Sequence, residues 1–242
     1  MRIEAPENRS LPAIIAPELR QAMLKLSLSA NAGHLAKRSL RALAGFAKRL
    51  KLKYNDIEVG LDFDPEPALA DNGDLELGLQ DLFETAGLAA RSAGTALSLF
   101  VDELQYVKEP ELAALITALH RTAQSQLPVV MVGAGLPQLR GLMGNAKSYA
   151  ERMFDFPEIG PLSPEAARQA LDNPARHEGA EFTAEALDRN IARTRGYPYF
   201  LQEWGKHSWN AATKSPITLL DVEQASRTAI AALDDSLFWG AV

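Results

Sequence analysis

The sequence predicts an α/β fold followed by an all-helical region. Two short, almost uninterrupted apolar runs, residues 96–101 and 128–132, have the length and composition of strands that are buried on both faces of a parallel sheet. A segment with helical periodicity, residues 109–126, lies between them. A strand, a helix and a second strand in close succession predict a parallel βαβ crossover.

Helical spacing of apolar residues dominates most of the remaining chain. The clearest amphipathic segment is residues 36–52, in which leucines and alanines share one face and lysines and an arginine share the opposite face. Ser163 and Thr183 have the side chains of N-caps. The other predicted helices are residues 11–28, 75–93, 162–174, 183–195, 197–213 and 218–233, and short strands are predicted at residues 1–4 and 57–61.

The change from mixed to purely helical character predicts a domain boundary near Gly160-Pro161. We therefore predict an α/β domain over residues 1–160 and a helical subdomain over residues 161–242.

The composition excludes several classes of protein. The chain has 242 residues, of which 47% are hydrophobic, and a formal net charge of −6. It has no cysteine, which excludes disulfides and cysteine-ligated zinc, and its four histidines lack metal-ligand spacing. No apolar run approaches the roughly 20 residues of a membrane-spanning helix, and no signal peptide is recognisable at Met1. We expect a cytoplasmic protein with no membrane partner.

Charge is distributed unevenly along the first domain. Residues 19–55 contain basic side chains and no acidic ones, and residues 56–90 contain acidic side chains and no Lys or Arg. The basic block could attract a polyanion such as DNA, or the two blocks could neutralise each other. The second interpretation is the simpler one.

An acidic pair, Asp102-Glu103, directly follows the first predicted buried strand. Ligands of open α/β sheets bind just outside the carboxyl ends of the strands. Four or more apolar residues followed by Asp-Glu form the Walker B pattern, in which Asp102 would hold Mg²⁺ through water and Glu103 would orient the water that attacks a γ-phosphate. The alternative is that the strand simply ends in polar residues as it leaves the core.

The companion motif of such a site, G-x-x-x-x-G-K-[ST], is absent from the 242 residues. The nearest match is Gly141-Leu-Met-Gly144-Asn-Ala-Lys147-Ser148, in which the second glycine is not adjacent to the lysine. We reject it as a phosphate-binding loop, although Lys147 could still contact an anion.

Four motifs in order give the chain a family resemblance. They are Phe100-Val-Asp-Glu-Leu-Gln-Tyr106, Leu127-Pro-Val-Val-Met-Val-Gly-Ala-Gly-Leu-Pro137, Ala146-Lys-Ser-Tyr-Ala-Glu-Arg152 and Gly196-Tyr-Pro-Tyr-Phe-Leu-Gln-Glu-Trp-Gly205. Together they resemble bacterial AAA ATPases of the origin-recognition-like and STAND-like group, and the resemblance covers essentially the whole chain. It implies an incomplete three-layer, P-loop NTPase-like parallel sheet followed by a helical lid.

The resemblance also implies a ligand and a set of roles. ATP and Mg²⁺ are the cofactors of the family, with Asp102 at the magnesium position and Glu103 at the catalytic-base position. Gly133-Ala134 offers no polar side chain where the family has its sensor-1 residue. The lid motif Gly196-Tyr197-Pro198 implies a position near the base and ribose, although these residues also suit a simple helix boundary. Arg152 is a weaker candidate for an arginine finger or a phosphate contact, and Arg193 and Arg195 are comparable candidates for a sensor-2 role.

Members of the family carry a first strand with its Walker A loop ahead of the segment that resembles residues 1–7, and often a winged helix beyond the segment that resembles residues 215–238. By that comparison the chain is expected to be a truncated, hydrolysis-deficient core and lid. Its full-length form would couple ATP hydrolysis to a conformational or assembly switch. Loss of the central strand would favour self-association.

Two further interpretations concern surfaces. A non-catalytic module could bind protein or DNA through the basic helix at residues 37–53. The aromatic residues Tyr197, Tyr199, Phe200, Trp204 and Trp209 could form a base-stacking platform, but their helical spacing favours packing in the core of the lid.

Overall fold

A small parallel sheet organises the first part of the molecule. The computed structural model describes residues 1–5, 9–29, 31–49 and 74–239. The strands are β1 (Arg2–Glu4), β2 (Leu97–Asp102) and β3 (Val129–Gly133), in the order β1-β2-β3. Both pairings are parallel, with Ile3 opposite Val101 and Leu99 opposite Met131. The predicted βαβ crossover is therefore present, and β2, the strand that ends in the acidic pair, is the central strand.

Six helices accompany this sheet within the described residues. Helix α3 begins where predicted because Asp74 is its N-cap and accepts hydrogen bonds from the Glu76 and Leu77 amides. The bounds are α1 (Leu11–Ser27), α2 (Gly33–Arg49), α3 (Leu75–Ser92), α4 (Glu109–Gln124), α5 (Leu139–Ala146) and α6 (Ala150–Met153). Helices α5 and α6 are additions to the predicted elements.

The two faces of the sheet have different environments. Leu97, Leu99 and Val101 of β2 are buried in one core with the apolar sides of the helices. On the opposite face Phe100, Val130 and Val132 keep 50%, 53% and 54% of their surface exposed. The prediction of strands buried on both faces is therefore wrong. A three-layer arrangement needs helices on both faces of the sheet, and among the described residues no helix layer covers the face of Phe100 and Val132.

The chain divides into two compact units, residues 1–157 and residues 158–242. The boundary predicted at Gly160-Pro161 lies a few residues beyond this division. Apart from an isolated bridge between Phe182 and Ile217, the described part of the second unit has only helices as regular secondary structure. Its helices are α7 (Pro164–His177), α8 (Ala184–Thr194), α9 (Pro198–Ala211) and α10 (Leu219–Trp239).

Local signals account for the helix starts of the second unit. The Ser163 hydroxyl accepts a hydrogen bond from the Ala166 amide, and the Thr183 hydroxyl accepts one from the Ala186 amide, so both predicted N-caps are confirmed. The helices enclose their own small core around Ala186, Leu201 and Val222.

The basic helix has the predicted amphipathic form over the residues that can be compared. Leu40 and Leu43 of α2 are buried, whereas Lys37, Arg41 and Lys48 are exposed. The strand predicted at residues 57–61 and the end of the predicted helix at residues 50–52 lie outside the described residues. Among the helices that the structure describes, none is both long enough and apolar enough to cross a bilayer.

Candidate functional site

The acidic pair lies at the carboxyl end of the central strand. Asp102 is the last residue of β2 and is exposed, and its Oδ1 accepts a 2.9 Å hydrogen bond from the Glu103 amide. Glu103 is half-buried and leads into a short 3₁₀ turn, Leu104–Tyr106. The sequence prediction placed both carboxylates at a strand exit, and the structure has them there.

The backbone of Glu103 is in the left-handed region, with φ 58° and ψ 35°. A residue with a Cβ atom pays a steric cost of roughly 1–2 kcal/mol in this conformation. Non-glycine residues in such conformations persist where surrounding contacts fix them, and they cluster at functional sites. Nothing in the sequence indicated this conformation.

Gln105 connects the acidic pair to the loop that follows β3. Its Nε2 donates a hydrogen bond to the Glu103 carboxylate, and its Oε1 accepts one of 3.1 Å from the Leu136 amide. Gln105 lies within the motif at residues 100–106, but no role was predicted for it from the sequence. A polar side chain two residues after Glu103 is the sequence signal that could have indicated a contact between Gln105 and the carboxylate.

Backbone bonds hold the same two segments together. The Leu104 amide donates to the Ala134 carbonyl at 3.1 Å, and the Ala134 amide donates to the Val101 carbonyl at 2.8 Å. The space at the end of β3 is filled, because a Cβ atom on Gly133 would lie 2.3 Å from Cδ1 of Leu104. The packing of Leu104 therefore leaves no room for a side chain at residue 133.

The lysine of the rejected phosphate-loop match has another partner. Residues 139–146 form helix α5, so the segment that begins at Gly141 is not a phosphate-binding loop. The Lys147 Nζ lies 3.1 Å from Oε2 and 3.3 Å from Oε1 of Glu76, in an ion pair that ties the end of α5 to the start of α3.

Arg152, the proposed arginine finger, belongs to the short helix α6 and is exposed. Its backbone amide donates to the Tyr149 carbonyl. Among the described contacts, no hydrogen bond or ion pair joins Arg152 to Asp102 or Glu103.

The lid motif lies in the second unit and has a clear local role. Gly196 has φ +72°, its carbonyl accepts a 2.9 Å hydrogen bond from the Leu162 amide, and a Cβ atom there would lie 2.6 Å from the Leu162 oxygen. Tyr197 is the N-cap residue of α9, and Pro198 is the first residue of that helix. The interpretation of the motif as a helix boundary is confirmed, whereas its contact with a nucleotide stays a prediction.

The two sensor-2 candidates differ in their surroundings. The Arg193 Nη2 lies 3.4 Å from Oε2 of Glu223, so this guanidinium already has a carboxylate partner. Arg195 is exposed and follows α8 with φ 51°.

The aromatic cluster of the lid is more exposed than predicted. Tyr197, Tyr199, Phe200 and Trp209 keep between 36% and 51% of their surface accessible. Trp204 alone among the five is buried, with its indole N–H bonded to the Ser226 hydroxyl. The prediction that helical spacing places these rings in the core of the helical unit is therefore wrong for four of the five. At the surface, Phe200 contacts Tyr197 in a tilted arrangement and Tyr199 in an edge-on arrangement.

A groove of about 390 Å³ lies between α7 and α9. Its lining is mainly apolar and includes Leu162, Leu171, Pro198, Leu201 and Trp209. Pro198 of the lid motif is thus part of a concave surface.

Within the described residues, no group of three or more His, Cys, Asp or Glu side chains could hold a metal ion. Comparison with known proteins adds no relative to this description, since no family model, curated protein or solved structure matches the chain.

Proposed function

We propose that the chain is the core and lid of an AAA-type P-loop ATPase. In this proposal the parallel sheet is part of a three-layer P-loop NTPase-like fold, Asp102 holds Mg²⁺ through water, and Glu103 orients the attacking water. The observation that carries the proposal is the acidic pair at the exit of the central parallel strand, with Glu103 in a left-handed conformation.

The number of carboxylates suits a magnesium ion that arrives with its nucleotide. Mg²⁺ is commonly bound by one or two protein carboxylates together with waters and phosphate oxygens, rather than by a complete protein cage. Asp102 is exposed at the strand end and can serve as such a ligand. Glu103 carries a carboxylate that can accept a proton or align a water. Nucleotide contacts of Arg152 and of Gly196, Tyr197 and Pro198 are proposed from the family resemblance alone.

The open edge of the sheet supports the same proposal. In the described residues β3 pairs with β2 alone, so its other edge has no strand partner, and Val130 and Val132 beside that edge are half exposed. The family resemblance puts the strand that feeds the phosphate loop in the centre of the sheet. Since the 242 residues lack the phosphate-loop motif, we expect them to be hydrolysis-deficient, and hydrolysis would belong to a form that includes such a loop.

The test compares the 242 residues with a form extended by a glycine-rich phosphate-binding loop. We expect no micromolar affinity of the 242 residues for Mg·ATP by calorimetry, and ATP hydrolysis by the extended form. Glu103→Gln in that form should lower kcat by about 10²–10⁴-fold, because the residue that assists the water is lost, with little change in nucleotide affinity.

Glu109→Gln is the matched control, since Glu109 is an exposed carboxylate at the start of α4. It should hydrolyse ATP at the unmodified rate. Equal activity of the Glu103→Gln and Glu109→Gln proteins would refute the assignment of Glu103.

Self-association is proposed on the same exposed features. A free strand edge and an apolar face favour pairing between copies. We expect concentration-dependent dimers in size-exclusion chromatography with light scattering, and their loss in a Phe100→Ser, Val132→Thr variant. A compact monomer at all concentrations would contradict this expectation.

The exposed basic face of α2 favours a second candidate function, a non-catalytic module that binds DNA or an acidic protein. Lys37, Arg41 and Lys48 are exposed opposite the buried leucines. Replacing all three with Glu should weaken DNA binding in a fluorescence titration and lower the magnitude of the slope of log K against log salt by about 3, since each phosphate contact contributes roughly 0.9. Charge reversal of Arg168, Lys206 and Lys214 in the second unit is the control, and equal losses in both variants would argue against a site on α2.

A further inference from the structure

Gln105 uses both ends of its side-chain amide in specific contacts. The Nε2 group faces the Glu103 carboxylate, and Oε1 faces the Leu136 N–H at 3.1 Å. A carboxylate only accepts and a backbone N–H only donates. Rotating the amide by 180° would place oxygen against oxygen and N–H against N–H. The Glu103 carboxylate and the Leu136 amide therefore determine the orientation of the Gln105 amide. Gln105 in turn holds these two groups in position.

The surrounding backbone leaves little room for the two loops to separate independently. The Leu104 amide binds the Ala134 carbonyl, and a Cβ atom on Gly135 would lie 2.7 Å from Oε1 of Gln105. The exit of β2 and the exit of β3 are thus packed against each other through Gln105. Glu103 and Leu136 lie 33 positions apart in the sequence but share one side chain.

We propose that Gln105 is a positioning residue that couples the Glu103 carboxylate to the loop at residues 134–136. The inference rests on the proposed function in one respect, namely that Glu103 is the residue that orients water. Because coupling between two positions is reciprocal, a ligand that displaces the 134–136 loop would move the Glu103 carboxylate, and a change at Glu103 would loosen the loop. Binding of a ligand at the end of β3 would then shift the Glu103 carboxylate, although Gly133 has no side chain that could contact the ligand.

The experiment follows hydrogen exchange of the Leu136 amide while Glu103 or Gln105 is substituted. Amide hydrogen exchange is followed by NMR in the 242-residue chain and in the variants Glu103→Leu, Glu103→Gln and Gln105→Leu. Loss of one hydrogen bond should accelerate exchange of the Leu136 amide by about threefold to tenfold in both leucine variants. Glu103→Gln keeps an acceptor oxygen at the same place and should restore most of the protection.

Two other amides report on simple loosening of the loops. The Leu104 and Ala134 amides join the same segments through backbone carbonyls and do not involve Gln105. Their exchange should stay within about twofold of the unmodified protein. The side-chain NH₂ resonances of Gln105 should also move in Glu103→Leu, since they lose their carboxylate acceptor, and this shift tests whether the bond to Glu103 forms in solution.

Two results would overturn the proposal. Unchanged Leu136 exchange in Glu103→Leu would show that Gln105 holds the loop without sensing the carboxylate. Equal acceleration of all three amides would show that Glu103→Leu merely loosens the loops. Since no nucleotide is present in this experiment, failure of the ATPase proposal would show up in the calorimetry and hydrolysis assays and not here.

Discussion

Glu103 and Gly196 make an informative pair, because each has a left-handed backbone and each belongs to a motif of the family resemblance. At Gly196 the local structure explains the residue completely, since a Cβ atom would collide with the Leu162 oxygen. At Glu103 the same backbone region is occupied by a residue with a side chain, directly after a strand. Gly196 is thus required by the local packing, whereas Glu103 keeps a backbone conformation that a residue with a side chain does not favour.

Other left-handed residues strengthen this contrast. Gln126 and Arg195 also have positive φ, but they follow the ends of α4 and α8, where left-handed residues commonly terminate helices. Glu103 follows β2 and has no such explanation. Its conformation therefore weighs more heavily for function than the match of Gly196-Tyr197-Pro198 does.

The largest expected effect is at Gly196. Gly196→Ala combines a positive φ with a 2.6 Å approach to a backbone oxygen, and we expect it to destabilise the second unit by about 2–4 kcal/mol. Chemical denaturation followed by circular dichroism measures the change. Gly179→Ala is the control, because Gly179 has φ +78° with open space around it and should lose only about 1 kcal/mol. Equal losses at both positions would show that the Leu162 contact is unimportant.

A smaller effect is expected at Gly133, the last residue of β3. A methyl group there must displace the end of the Leu104 side chain, which is flexible, so Gly133→Ala should cost about 1–3 kcal/mol. The control is Gly141→Ala, since Gly141 lies in α5 with nothing near its Cβ position and should gain up to about 1 kcal/mol. Urea denaturation of the first unit tests both substitutions. A Gly133→Ala variant as stable as the unmodified protein would contradict the conclusion that Leu104 leaves no room for a side chain at residue 133.

The smallest expected effect is the difference in stability between two substitutions of Glu103. Both Glu103→Gly and Glu103→Ala remove the bond from Gln105, but only glycine relieves the backbone conformation. We therefore expect the glycine variant to be more stable than the alanine variant by about 1 kcal/mol, the reverse of their order in an exposed helix. Thermal unfolding of the two variants side by side gives the difference. An alanine variant as stable as the glycine variant would show that Glu103 is not strained.

Periodicity was sufficient to predict the elements that are driven by burial. The apolar runs at residues 96–101 and 128–132 predicted the strands Leu97–Asp102 and Val129–Gly133 to within one residue at each end, and Ser163 and Thr183 capped helices by a purely local mechanism. Helix α5 was missed because Gly141 and Gly144 lower helix propensity within eight residues.

What could not be predicted depends on contacts distant in sequence. A continuous apolar run does not reveal whether one or both faces of a strand are covered, so the exposure of Phe100 was not foreseen. The conformation of Glu103 and the contacts of Gln105 depend on residues 134–136, which no local pattern connects to them. The position of the acidic pair at a strand exit was predictable, but the contacts that hold the pair there were not.

The register of the sheet has a consequence for the order of folding. Strand β1 pairs with β2 through Arg2 and Phe100, whereas β2 pairs with β3 through Leu97 and Val129, which are much closer along the chain. Closing the longer connection costs more chain entropy, and distant pairings form more slowly. During synthesis on the ribosome, β1 must wait for about a hundred further residues to emerge before its partner exists. This strand is therefore expected to reach its final place later than β2 and β3, which pair over a shorter stretch of chain.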